Sequence, residues 1–558
     1  MKNTPYRILA LALSLGMFGL VKSSEAATYY VCDTGTTCGS GWATGNDSNA
    51  GSSKSTPGKT IKGGISRMSA GDTLIIGDGT YQGDSNMLSN PAGDWDIGSK
   101  SGSSGGYTVI KAENDWGAII DGQNSRYTGW ITGFSYGIIR SIHFRNSNGY
   151  GLRLHGSSHT KVLRCAFEEQ KSFGLAFTAS SNCLAEQNVA YGCGTYFISD
   201  NNYWGANDRN IYRSNVVRRD AHYHSGGTPD GGNHYASYNT YWSPTSNVYF
   251  QDDISLDSGI VRCGEAMDPY YSAALYGANG NTAGFTVDGL VAVNENGFAG
   301  EFESGGKPTI RNSAFYVTGS RGGGILSYGP GTFENILVSG ATSGQYQMGV
   351  WQVQGTITSL KNNIIYGNSI GLAGVSGAHS YNDLFNTNNY DSTSAGTGDK
   401  TYNPLTNGLL YPVRVEAGSN LAKDGSGGRI GPEIIYRIGR TASSDTECGG
   451  SADGMSCRLY GETGWDELQD GQSGRALVKL WPFPNEGKIK SMMSAYNLHG
   501  ANGKRGFAAD GNGLYGGPIT LTSYIWEYLG NPCPAEICNY GQSGDTTPPS
   551  APKGLSVR

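Results

Sequence analysis

The sequence predicts an all-β parallel solenoid, and three observations predict it. Glycine supplies 87 of 558 residues, about twice ordinary usage, which disfavours long helices and fits a turn-rich chain. A short pattern, a polar pair followed by two mostly apolar residues, recurs along the chain. Aligned on that pattern, apolar and aromatic residues fall into columns, as stacked coils with a shared core require.

The repeats read RSIHF, LRCAF, EQNVA, RSNVV, QDDIS, DGLVA, RNSAF, ENILV, NNII and YNDLF, anchored on Ile142, Cys165, Asn188, Asn215, Asp253, Leu290, Ser313, Ile336, Asn363 and Asp383. Their intervals are 23, 23, 27, 38, 37, 23, 23, 27 and 20 residues. Two residues after the anchors come Phe144, Phe167, Ala190, Val217, Ser255, Ala292, Phe315, Val338, Ile365 and Phe385, an apolar ladder. Eight after them come Tyr150, Phe173, Tyr196, Tyr223, Val261 and Phe298, read as a second inward stack. Asn312, Asn335, Asn362 and Asn382 form a polar ladder at a bend, with the excess glycine expected at corners. A leucine-rich repeat is excluded by the missing LxxLxL spacing, and a propeller by its blade of about 40 residues.

Taken in chain order, residues 1–26 read as a signal peptide. Lys2 and Arg7 precede the apolar run 8–21, and Ser24-Glu25-Ala26 offers a small-residue cleavage site. Export is therefore expected, and no later segment is apolar enough to span a bilayer. Removing 1–26 takes away Lys2, Arg7, Lys22 and Glu25, a net +2, so −6 becomes −8. That balance gives no electrostatic footprint for nucleic acid. Ten cysteines in an exported chain point to disulfides. Cys32/Cys38, Cys448/Cys457 and Cys533/Cys538 are close enough to be loop staples, while the pairing of Cys165, Cys183, Cys193 and Cys263 stays open.

Residues 27–400 form the predicted solenoid domain. Within it, Thr60–Met68 is a short amphipathic stretch before the alternating strand Thr73–Ile76, placed to cover the open edge of the first coil as a cap helix. The segment TGNDSN followed by KTI and GDTLIIGDGTY (44–81) resembles the opening of right-handed parallel β-helix proteins of the pectate-lyase-like superfamily. The resemblance covers roughly 28–400 as architecture. It implies a right-handed parallel β-helix and a secreted polysaccharide lyase, epimerase or glycosidase, or an adhesive protein. After 400 the ladder stops, and 401–540 reads as a mixed C-terminal cap or appended region with helical period at Lys488–Asn497 and Leu521–Leu529. The tail 541–558, with DTTPPSAPKGLSVR, resembles the linker and first strand that open a fibronectin type III domain.

The intervals starting at 188, 215 and 253 are enlarged, and insertions in stacked repeats project from one face. Read as following one strand each time, the insertions are 201–209, 226–242 and 265–282, rich in Trp, Tyr, Asn and Asp. Aromatic faces stack on sugar rings, so Tyr203, Trp204, His234, Trp242, Tyr270 and Tyr271, with Glu301 beside them, are candidate glycan-binding residues. If the residue eight after each anchor faces in, its neighbours face out. That places His224 and Arg262 on adjacent coils, with His222 two positions along. β-Elimination from a uronate needs a base for the C5 proton, a cation for the carboxylate and an acid for the leaving oxygen. His224 and His222, Arg262 and Tyr235 fit these roles.

Asp220, Asp252, Asp253 and Asp257 are weaker candidates, for Ca²⁺, against a reading of Asp252 and Asp253 as turn-ladder residues and of Arg219–Asp257 as an inter-coil ion pair. Glu301 and Glu303 face the same way and suit glycoside hydrolysis, or else form a solvated strand face. The expectation is a monomeric secreted enzyme acting on an acidic polysaccharide by β-elimination, with Ca²⁺ or no cofactor. A non-catalytic glycan binder or adhesin, a glycoside hydrolase and a C5 epimerase are the alternatives.

Overall fold

The structure is a computed structural model that describes residues 26–35, 37–89, 97–201, 205–220, 235–241, 247–258, 261–262, 265–266, 272–277, 284–303, 307–318, 322–344, 346–434, 436–437, 478–479, 481–495, 505–514 and 516–538. It is the right-handed parallel β-helix that the columns and the resemblance predict. Three parallel sheets of 13, 12 and 12 strands run the length of the solenoid, each strand pairing with its counterparts one coil before and after. A regular coil passes from the first sheet (Gly137–Arg140) to the second (His143–Ser147) and then the third (Leu152–His155).

The inward ladder is formed as predicted over most of its length. Phe144, Phe167, Ala190, Val217, Ala292, Phe315, Val338 and Ile365 lie in one continuous core, with Phe144 and Phe167 stacked at 5.4 Å. In the last coil the alignment is one residue off. Leu384 fills the core position, and Phe385 is 43% exposed.

The corner between the first and second sheets is made differently from the expectation of glycine. The residue before each anchor is left-handed, and it is Ser141, Arg164, Gln187, Ser214, Asp252, Asn312, Asn335, Asn362 and Tyr381, with glycine only at Gly289. The strain of a left-handed side chain is offset by a polar ladder just inside the bend. Asn188 Oδ1 accepts from the Cys165 amide at 2.9 Å, Asn215 Oδ1 from Asn188 at 2.9 Å and Asp253 Oδ1 from Asn215 at 2.8 Å. The ladder resumes with Asn363, Asn382 and Asp399.

The N-terminal cap is the helix Ile61–Arg67, opened by Thr60, whose hydroxyl accepts from the Gly63 amide; Ile61 and Ile65 are buried. Cys32–Cys38 and Cys533–Cys538 are disulfides. Cys165, Cys183 and Cys193 are buried; Cys165 and Cys193 are free thiols, and burial pushes the Cys165 thiol up to about 12. Cys263, Cys448 and Cys457 lie outside the described residues.

Beyond residue 400 the chain returns along the flank of the solenoid. Leu409, Val413, Ile430, Trp481, Ile489, Met493, Phe507, Leu521 and Trp526 form one cluster with Val189, Val216, Ile254, Val291, Ala314 and Leu337 from the outer side of the second sheet. The helical period predicted around 488 and 521 appears as the helices Glu486–Met493 and Leu521–Trp526. Among the described residues no helix is long and apolar enough to cross a membrane.

Candidate functional site

The outer face of the third sheet carries the candidate site. Alternation builds it, broken where Phe197 and Ile198, and Ala274 and Leu275, both face the core: Leu152, Leu154, Leu175, Phe177, Tyr238, Leu275, Phe302 and Ile325 point into the core, and the residues that follow or separate them point out. Register places Trp130, Arg153, Ala176, Ser199, Asn239, Tyr276, Glu301, Leu326 and Trp351 in one row along the solenoid axis, at about 4.8 Å per coil. Beside it, Phe173, Tyr196, Ala236, Ala273, Tyr276, Phe298 and Leu326 make an apolar cluster separate from the main core. Tyr150, Phe173, Tyr196 and Phe298 are therefore not the inward stack expected of them. They line this outer face, with Tyr150–Phe173 and Phe173–Tyr196 rings at 5.0 and 5.4 Å.

The row has three chemically distinct parts. At its N-terminal end the Arg153 guanidinium lies 4.6 Å from the Trp130 ring and 5.2 Å from Tyr150, and its Nε donates to Thr178 Oγ1 at 3.0 Å. His155, two residues along the same strand, places Nδ1 3.1 Å from the same hydroxyl. Burial, and then the Arg153 charge, hold this imidazole below its ordinary pKa, so it is neutral near pH 7 and competent as a base.

The middle of the row is uncharged. Ser199 and Asn239 are direct neighbours across two coils, both 0% exposed. Neither the Ser199 hydroxyl nor either amide atom of Asn239 has a hydrogen-bond partner. Such a group costs about 1–3 kcal/mol when buried unpaired.

The C-terminal part is acidic. Tyr276 donates to Glu303 Oε1 at 2.5 Å. Burial, with Tyr196 and the charges of Glu303 and Glu301 adding to it, raises this phenol far above its ordinary pKa and keeps its proton on. Glu301 is 1% exposed, so the Glu301–Glu303 strand is not the solvated face of the alternative reading.

The insertions enter this face from a side the repeat alignment did not anticipate. Tyr235–Tyr241 and Ser272–Gly277 are themselves third-sheet strands, pairing in sequence between Tyr196–Asn201 and Phe298–Phe302. Two of the three insertions thus precede the strand rather than follow it. Beside Phe197 and Ala299 the register places Ser237 and Ala274, not His224 and Arg262. Arg262 instead belongs to a short antiparallel pair in which it faces Glu265. Tyr235 opens the strand that carries Asn239, opposite Ser272. His222, His224, His234, Tyr203, Trp204, Trp242, Tyr270 and Tyr271 lie outside the described residues.

The aspartates proposed for Ca²⁺ are dispersed in structural roles. Asp253 is a rung of the polar ladder, and Asp252 is the left-handed corner residue before it. Asp257 accepts from Arg218 Nε at 3.0 Å, the Phe507 amide at 2.8 Å and Tyr524 at 2.5 Å, and Asp220 pairs with Arg218. The inter-coil ion pair involves Arg218, not Arg219, whose partner is Glu295. Among the described residues no three His, Cys, Asp or Glu side chains cluster as metal ligands.

Arg153, His155, Asn239 and Tyr276 were not singled out from the sequence. Their signal was available in the alternation of Leu152-Arg153-Leu154-His155 and of Tyr238-Asn239. It was obscured because the third strand of the two enlarged coils had been placed ahead of the insertion.

No family model matches the chain, and no curated protein matches it. Solved structures similar to it include the pectate lyase Pel9A, 14% identical with a TM-score of 0.41, covering 72% of this chain and 92% of that one. A rhamnogalacturonan lyase is 14% identical with a TM-score of 0.37, covering 67% and 87%. PfbA, a surface adhesin of Streptococcus pneumoniae, is 9% identical with a TM-score of 0.35, covering 56% and 81%. None of these values reaches a level from which a shared activity follows.

Proposed function

We propose that the protein is a secreted carbohydrate-active enzyme that lays an acidic polysaccharide along the outer face of the third sheet and cleaves it by β-elimination. The observation that carries this reading is the presence, on one strand of this face, of a histidine held below its ordinary pKa and an arginine two residues away. In the reaction a base takes the C5 proton of a uronate, the C4=C5 double bond forms, the C4–O bond breaks and an acid protonates the leaving oxygen. Two sets of residues on this face fit these roles. In one, His155 is the base and Arg153, two residues away on the same strand, neutralises the carboxylate. In the other, Tyr235 or Tyr276, three and four coils further along the face, protonates the leaving oxygen, with His224 or His222 as the base and Arg262 as the cation. Tyr203, Trp204, His234, Trp242, Tyr270 and Tyr271 belong to the segments joined to this face and would stack on or hydrogen-bond to the glycan.

A second reading, glycoside hydrolysis, is favoured by Glu301 and Glu303, which share a face of one strand with Tyr276 as neighbour. Incubation with pectate, alginate and glycosaminoglycans, reading ultraviolet absorbance and reducing ends together, tests both. Elimination gives both signals, hydrolysis gives reducing ends alone, and a glycan binder gives neither while still retaining the polymer. Absence of the unsaturated product across the panel overturns the lyase reading.

A further inference from the structure

Resting on the reading of the third sheet as a glycan face, we propose that Tyr127, Trp130 and Tyr150 form a stacking platform for one sugar ring of an acidic glycan, at the end of the face where Arg153 and His155 lie. The three rings touch one another. Tyr127 and Tyr150 are stacked at 6.1 Å, and Trp130 stands edge-on to them at 5.6 and 6.1 Å. All three are partly exposed, as is His155; Thr132 and Gly133, which follow Trp130, are open to solvent, and so is Gly156 after His155. The platform is open only at this end of the sheet. Phe173 and Tyr196, which continue the Tyr150 stack, are 8% and 6% exposed.

Local contacts hold the rings ready. Tyr127 lies against the Gly149 backbone, where a Cβ would come within 2.0 Å of the ring. Thr128 Oγ1 donates to the Gly151 carbonyl at 2.8 Å, and Ser147 Oγ to the Tyr150 carbonyl at 2.6 Å, which ties the two coils of the platform together. Rings fixed before binding lose little freedom when a ligand arrives. Three of them fall far short of the roughly 20–30 residues that a stable protein interface takes from each side, but they suit a pyranose, which offers an aromatic ring a flat face of C–H groups. Beneath them the Arg153 guanidinium, 2% exposed, lies 4.6 Å from Trp130 and 5.2 Å from Tyr150. A positive charge behind the ring faces acts through low-dielectric side chains, so a uronate is favoured there over a neutral sugar. Thr132, and not Trp130, is the register neighbour of His155, which puts Trp130 one coil and two residues from it, about 8 Å. The platform therefore positions the sugar adjoining the one on which His155 acts.

Trp130→Leu and Tyr127→Leu test this, since leucine keeps apolar bulk at each position and removes the flat ring. Calorimetry with hexagalacturonate and hexamannuronate, and with cellohexaose as the uncharged probe, reads binding whether or not elimination takes place. At least one uronate is expected to bind, each leucine substitution to weaken it about tenfold, and cellohexaose to bind the wild-type protein about tenfold more weakly. Trp130→Phe, which restores a ring, is expected to recover most of the affinity. The proposal is overturned if neither uronate binds, if both leucine variants bind as tightly as wild type, if cellohexaose binds as well as the uronates, or if the leucine variants lose affinity only by unfolding, seen as melting below the titration temperature. Unsaturated product with an unchanged KM in the leucine variants overturns the platform and keeps the lyase reading. Ring-dependent uronate binding without unsaturated product keeps the platform and loses that reading.

Discussion

The outer faces of the second and third sheets are built from the same coils, yet they are covered differently. On the second sheet the returning C-terminal segment packs against the strands and pairs their charged groups. Arg218 reaches Asp220 and Asp257 and donates to the Met493 carbonyl at 2.5 Å, and Arg505 Nη2 donates to the Asp257 and Ser258 carbonyls at 2.7 and 2.6 Å. On the third sheet Ser199 and Asn239 are as deeply buried and have no partner. An ion-pair network ties the C-terminal segment to the second sheet, although Asp220 Oδ1, Arg505 Nε and the indole N–H groups of Trp481 and Trp526 stay without a hydrogen bond within it; among the described residues the third sheet has no such network around Ser199 and Asn239.

The comparison breaks most readily at the clamp. Asp257→Ala leaves Arg218 and Tyr524 without a partner they now share, and loss of one member of a buried ion pair costs about 3–5 kcal/mol. Chemical denaturation should show that loss, with the C-terminal segment becoming protease-sensitive first. A wild-type unfolding curve would place the stability of the molecule elsewhere.

On the third sheet the large effect is expected in rate rather than stability. Tyr276→Phe removes the proton donor while leaving its ring in place, and should lower kcat by about 10²–10⁴ with KM little changed. An unaltered kcat would assign the acid to Tyr235.

A smaller effect is expected inside the coil, at a rung that belongs to neither face. Burial pushes the Asp253 carboxyl up to about 8 from an ordinary value of 3.8, against the hydrogen bonds from Asn215. A raised carboxyl pKa means that the folded state holds the proton more tightly than the unfolded chain. Its contribution is fully present below 3.8 and is lost as pH rises from there to about 8. Asp253→Asn should flatten that part of the stability profile, raising the melting temperature at pH 9 more than at pH 5. An equal change at both would show that Asp253 stays ionised in the fold.

The smallest expected effect is a displaced limb. Because the His155 pKa is lowered, the acid limb of kcat/KM should fall below the ordinary imidazole value of 6.5. It should disappear in His155→Ala; if it persists there and vanishes in His224→Ala, the base lies on the inserted segment.

Much of this architecture was legible from the chain alone. A repeat constrains itself, because a residue that faces the core in one coil sits above the equivalent residue of the next. Phe144, Phe167 and Phe315 therefore identified the second sheet without any knowledge of long-range contacts. The helix at Ile61–Arg67 and the staples Cys32–Cys38 and Cys533–Cys538 were equally local. The candidate site was legible only in part. Glu301 falls on the outward row that alternation predicts, but the strands that carry Asn239 and Tyr276 read as insertion in the sequence, since a change in repeat length reveals that residues are added and not on which side of a strand they lie.

The sequence by itself thus determined the coil, its period and its inward ladder, because stacking identical units makes those properties nearest-neighbour matters. What covers each outer face was decided only in three dimensions. Arg505 meets Asp257 across 248 positions of sequence, and Asn239 and Ser199 become neighbours only through the register of two strands separated by an insertion. Neither relation has a period, so only the folded chain could show that the C-terminal segment seals the outer face of the second sheet and that Ser199 and Asn239 meet on the third.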